Sequence, residues 1–91
     1  MAHVNLHEKL QQASKMLKDA QQSIIQAQGQ NLQLVEEAQS MLDQVENELR
    51  NVQYQAGREA LENPQFQQAF EELHDVRQQA QEAHQNINDA L

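Results

Sequence analysis

The sequence predicts an all-α protein: an up-down-up antiparallel three-helix bundle, coiled-coil-like, closed around an Ala-rich seam. Three observations carry this. Gln, Glu, Ala and Leu, all good helix formers, dominate the 91 residues, and only three residues are aromatic. Gly and Pro are confined to Gly29, Gly57 and Pro64, which suits few but long elements. Apolar residues recur every three or four positions in three unbroken series, the period of one helix face.

The first series is Leu6, Leu10, Ala13, Leu17, Ala20, Ile24 and Ala27. It predicts a helix over about 4–28, closed by Gly29 in a left-handed conformation. The second is Val35, Ala38, Leu42, Val45, Leu49, Val52 and Ala56, predicting a helix over about 31–56. Asn31 is its expected N-cap, with Glu36 and Glu37 near its positive end. The third is Phe66, Ala69, Leu73, Val76, Ala80, Ala83, Ile87 and Ala90, predicting a helix over about 64–90. Asn63 caps it, and Pro64 takes the first helical position. The stretch "REALE" at 58–62 fits either an extension of the second helix or a separate turn. Residues 1–91 form one domain.

Residues 10–28 and 35–53 match in their apolar positions, with four identities at an offset of 25. That offset is not a multiple of seven, so the heptad phase resets in the Gly29 turn. The match therefore reads as two helices folding back on each other, not as a duplicated function.

Nine of the 22 seam residues are Ala, which lets helices approach closely and disfavours a preformed cavity. A thin seam also points to further burial. Met16, Met41 and Leu34 at g, with Leu32 and Phe70 at e, widen the core face that a third helix requires. Ile25, at b, falls off that face and is the leading candidate for an intermolecular contact. Tyr54, Phe66 and Phe70 are expected at one end with His3, Val4, Leu6 and His7. There they form either a cap on the core or a binding patch.

The formal charge is −8, from 6 Lys and Arg against 14 Asp and Glu. Residues 1–31 carry +1, 32–56 carry −4, 57–63 carry −1 and 64–91 carry −4. No basic face exists for nucleic acid or an anionic membrane. No apolar run approaches the roughly 20 residues that span a bilayer. The opening "MAHVNLHEKL" has neither the basic start nor the apolar core of a secretory signal. With no cysteine, the expected setting is cytoplasmic.

Catalytic and metal chemistry find little support. His3 and His7 share a helix face at i, i+4, but no Cys or carboxylate completes a metal site. His74 and His84 fall on different faces. Glu71 and His74, at i, i+3, have no second copy of the kind a di-iron bundle uses. The pairs Glu36-Glu37 and Glu71-Glu72 lack a shielding pocket. Nineteen Gln residues, interleaved with the heptads, keep exposed faces polar and suit amide bonding across helix interfaces. The chain is therefore expected to be no enzyme, to hold no cofactor, and to act through a protein partner or as a homo-oligomer. Candidate contacts are Ile25, Tyr54, Phe66 and Phe70. A second reading is an acidic inhibitor that covers a basic surface through Glu36, Glu37, Asp43, Glu71, Glu72 and Asp75. A third is small-ligand binding at an oligomer interface, with Arg50, Arg58 and Arg77 as the anion contacts.

Overall fold

Each long helix begins where an Asn side chain takes over amide hydrogens that the helix itself leaves unbonded. The computed structural model describes residues 5–90, with the side chains of 5–89. Its elements are α1 (Leu6–Ala27), α2 (Leu32–Ala56), α3 (Arg58–Leu61) and α4 (Pro64–Ala90). Asn5 Oδ1 accepts from the Glu8 amide at 3.1 Å, Asn31 Oδ1 from Leu34 at 3.2 Å, and Asn63 Oδ1 from Gln65 at 2.8 Å. The Asn5 cap starts α1 at Leu6, later than the periodicity alone suggested; Val4 lies outside the described residues.

Three local details differ from expectation. The residue that ends α1 is Gln28, at φ 51°, and Gly29 follows at φ 69°. Two successive left-handed residues let the Gln30 and Asn31 amides both return to the Ala27 carbonyl, at 2.9 and 3.1 Å. Secondly, the first turn of α2 carries no acid. Glu36 and Glu37 sit one turn further in, where the helix dipole has largely faded. Thirdly, the described residues form four helices, not three. Gly57 adopts φ 57°, ψ −123°, the first central position of a II′ turn, which a side chain strongly disfavours. The chain leaves α2 there, and residues 58–61 form a turn of their own.

The heptads decide what is inside. Of the 22 seam residues, 18 are buried, Ile24, Ala56 and Ala83 are half-buried, and the side chain of Ala90 lies outside the description. The one buried residue outside the three series is Ala60, which α3 sets against the core. Among the described residues no polar or charged residue is buried. α1, α2 and α4 pack against one another, and α3 touches α2 and α4. The result is a rod of 51 × 19 × 16 Å. Among the described residues no helix is long and apolar enough to cross a membrane.

The core is not continuous along the rod. The main cluster runs from Leu6 and Phe66 to Ala20 and Ala80, while Ala27, Val35 and Ile87 form a second one beside the α1–α2 turn. On α4, Ala80 belongs to the first cluster and Ala83 packs against the second.

Two substitutions test this description. Leu42 is fully covered, so Leu42→Ala should cost about 2–5 kcal/mol in urea unfolding. Gln28→Gly should instead stabilise the chain by up to about 1 kcal/mol, because the strained left-handed residue then lacks a Cβ.

Candidate functional site

The heptad flanks give the three long interfaces different chemistry. On the α2–α4 side, position e brings Glu46 to Arg77. Arg77 Nη2 reaches Glu46 Oε1 at 2.6 Å and Asp43 Oδ1 at 2.9 Å. Arg50, one turn beyond Glu46, donates to Glu46 Oε2 from Nη2 at 2.8 Å and from Nε at 3.0 Å. Each oxygen of Glu46 thus serves a different guanidinium. Hydrogen bonds from Arg50 first and Arg77 second hold the Glu46 carboxyl below its ordinary value of 4.5, against a smaller opposing effect of desolvation. For Arg77, desolvation pulls the guanidinium down, but hydrogen bonds to Asp43 and Glu46 outweigh it and raise its value overall. Arg77 therefore stays charged at any ordinary pH.

The α1–α2 side is mostly apolar. Met16 and Met41 pack against the main cluster and Leu34 against the second. One ion pair, Lys9 to Glu48 at 3.8 Å, closes that side.

The α1–α4 side is held by amides and is the most open. His7 Nδ1 lies 3.4 Å from Gln65 Oε1, and Gln21 Nε2 lies 3.4 Å from Gln79 Oε1; both are long for hydrogen bonds. Between them run two adjoining depressions. One of about 240 Å³ is lined by Leu10, Gln11, Ser14 and Lys18 of α1 and by Gln65, Gln68, Ala69 and Glu72 of α4. The other, of about 140 Å³, adds Leu17, Gln21, Asp75, Val76 and Gln79 and shares Lys18 and Glu72 with the first. Together they form one groove with a floor of seam residues and a polar rim. A third depression, of about 240 Å³, lies between α2 and α4 beside Asp43 and Arg77.

The aromatic residues separate. Phe66 is buried, Phe70 is half-buried against the core, and their rings meet edge to face at 5.0 Å and 69°. Tyr54 is 91% exposed. It occupies position f of α2, the side of the helix turned directly away from the seam, so it has no part in the aromatic cap. His3 and Val4, expected at that end, lie outside the described residues. Ile25 is 60% exposed and Leu61 50%. Ile25 stands at the level of the second cluster along α1, two residues before Ala27. Tyr54 lies 19 residues beyond Val35 of that cluster, about 28 Å at 1.5 Å per residue. The two exposed residues therefore belong to opposite ends.

The six candidate acids do not form one face. Asp43 is taken by Arg77 on the α2 side of α4, while Glu72 and Asp75 line the groove on its α1 side. Glu36, Glu37 and Glu71 are exposed, on two different helices. Arg50 and Arg77, considered as anion contacts, are engaged by Glu46 and Asp43; Arg58 is exposed. Among the described residues no three His, Asp or Glu side chains converge as a metal site would require. Sequence reasoning did not single out Glu46, although its e position and its i, i+4 spacing to Arg50 were visible.

Comparison with known proteins returns no matching family model, no similar curated protein and no similar solved structure.

The Glu46 cluster makes a signed prediction. The folded carboxyl titrates below 4.5 and the unfolded one at its ordinary 4.5, so the folded state binds fewer protons between those values. Its stabilisation is complete above 4.5 and disappears as pH falls through the folded value. Glu46→Gln should lower the melting temperature at pH 7, and the difference from wild type should shrink steadily below pH 4.5.

Proposed function

We propose that this chain is a non-enzymatic interaction module, a small acidic helical bundle that docks on a partner protein, with Tyr54 as a principal contact. The exposure of Tyr54 carries the reading. Two of the three aromatic rings enter or flank the core, while the third stands 91% exposed at the outermost helix position. A tyrosine there contributes nothing to folding, whereas its flat apolar ring and hydroxyl suit it to an interface. Tyrosine is among the residues enriched at binding hot spots.

The architecture proposed for the module is an up-down-up path of the three long helices. The contacts His7–Gln65 and Gln21–Gln79 share a sequence offset of 58, as expected for α1 and α4 running in the same direction. Lys9–Glu48 at one end and Ala27 with Val35 at the other suit α1 and α2 running in opposite directions. Such a rod separates Tyr54 from Ile25 and presents each to a different neighbour.

Tyr54→Ala should weaken partner capture at least tenfold, while the melting temperature and helical circular dichroism stay at wild-type values. Light scattering on a size column gives the stoichiometry. A dimer dissociated by Tyr54→Ala would identify a second copy as the partner. A strict monomer that captures no protein would overturn the reading.

A further inference from the structure

Beyond the two depressions of the α1–α4 groove, the helix faces that form its rims change in chemistry. Gln11 and Lys18 line the α1 rim, and seven residues beyond Lys18 the same rim carries Ile25. Gln68 and Asp75 line the α4 rim, and seven residues beyond Asp75 that rim carries Glu82. Seven residues make two helical turns less about 20°, so each keeps nearly the face of its predecessor. Ile25, 60% exposed, thus lies one heptad beyond the groove on its α1 side; Glu72 and Asp75 line the α4 side, and Glu82 lies one heptad beyond Asp75.

None of these three acids has an ion-pair partner among the described residues, where the ion pairs are Lys9–Glu48 and those of Arg50 and Arg77. The sequence places no Lys or Arg between Lys18 and Arg50 and none after Arg77. Arg77 turns to the α2 side of α4. Among the described residues Lys18 is thus the one Lys or Arg lining the groove, against an acidic row and an uncovered apolar anchor. The third depression differs: its Asp43 is already neutralised by Arg77.

We infer that the α1–α4 groove docks a cationic amphipathic helix of a partner protein, with an apolar side chain against Ile25 and Lys or Arg side chains along Glu72, Asp75 and Glu82. Charge complementarity selects this occupant. A second copy of the chain would bring its own excess of carboxylates to the acidic rim. An amphipathic helix repeats its apolar and basic positions every three or four residues, which matches the heptad spacing of the rim. The inference rests on the reading of the chain as a docking module but uses a surface independent of Tyr54.

The test uses the full chain, isotope-labelled, and two synthetic amphipathic helices of equal length, one of Leu and Lys and the other of Leu and Glu. The Leu–Lys peptide should bind with chemical-shift changes concentrated between Gln11 and Ile25 and between Gln68 and Glu82. Ile25→Ser, and separately Asp75→Asn with Glu82→Gln, should each weaken it about tenfold. All three side chains are exposed, and circular dichroism checks that the fold is kept. Glu36→Gln with Glu37→Gln removes the same charge from the outer face of α2 and should leave the affinity unchanged. Equal weakening by the two charge-removing pairs would mean attraction to net charge alone and would overturn the inference. So would shifts spread over α2, equal binding of the Leu–Glu peptide, or no binding. Tyr54→Ala is a further control: partner capture lost in that variant while the peptide still binds would show two separate surfaces. If the peptide does not bind but capture still depends on Tyr54, only the groove is refuted.

Discussion

The whole structure depends on one constraint: each long helix has an apolar stripe of two seam residues per heptad, widened only by a few flanking residues such as Met16, Met41 and Phe70. A stripe that narrow is covered only when all three meet along their length. Eighteen of its 22 positions are buried as a result, and among the described residues no polar group goes with them. Frequent Ala keeps the stripes close, and Ala20 and Ala38 have no exposed surface at all. The buried residues form two clusters, with Ala80 in the first and Ala83 against the second.

With the seam alike on all three helices, the flanking e and g positions distinguish one interface from another. The α2–α4 side is tied by the Asp43, Glu46, Arg77 and Arg50 network. The α1–α2 side is filled by methionine and closed by Lys9–Glu48. The α1–α4 side has neither; its glutamine contacts are long and a groove runs between them. Exposed ion pairs are individually weak, so their value here lies in setting which helix faces align. A side left without such ties is the natural place for an external helix, and the proposed docking groove lies there.

The turn regions show how backbone conformation and pattern act together. The apolar series ends at Ala56, since the next seam positions would be Glu59 and Asn63; there Gly57 takes a conformation that turns the chain away, and α3 then brings Ala60 into the core. The same departure leaves Tyr54 on the last turn of α2, facing away from Phe66 and Phe70. At the other end Gln28 tolerates a left-handed conformation beside Gly29 because the seam on either side fixes where the chain must return.

The three long helices, their approximate boundaries and the interior were legible from periodicity, because the period that predicts a helix also predicts its buried face. The short α3 was not, since 58–62 fitted an extension of α2 equally well. Asn31 and Asn63 were legible as caps for a local reason: a short side chain reaches its own helix's amides. The sequence by itself therefore determined the all-helical fold and nearly every buried residue. Only the tertiary structure decided which flank meets which. It paired Asp43 and Glu46 with Arg77, residues more than thirty positions apart, and so engaged their charges within the chain. It also separated Tyr54 from the other aromatics and put Glu72 and Asp75 on the opposite side of α4 from Arg77. The heptad says that a residue lies beside the seam, whereas its neighbour depends on how three rods are arranged in space.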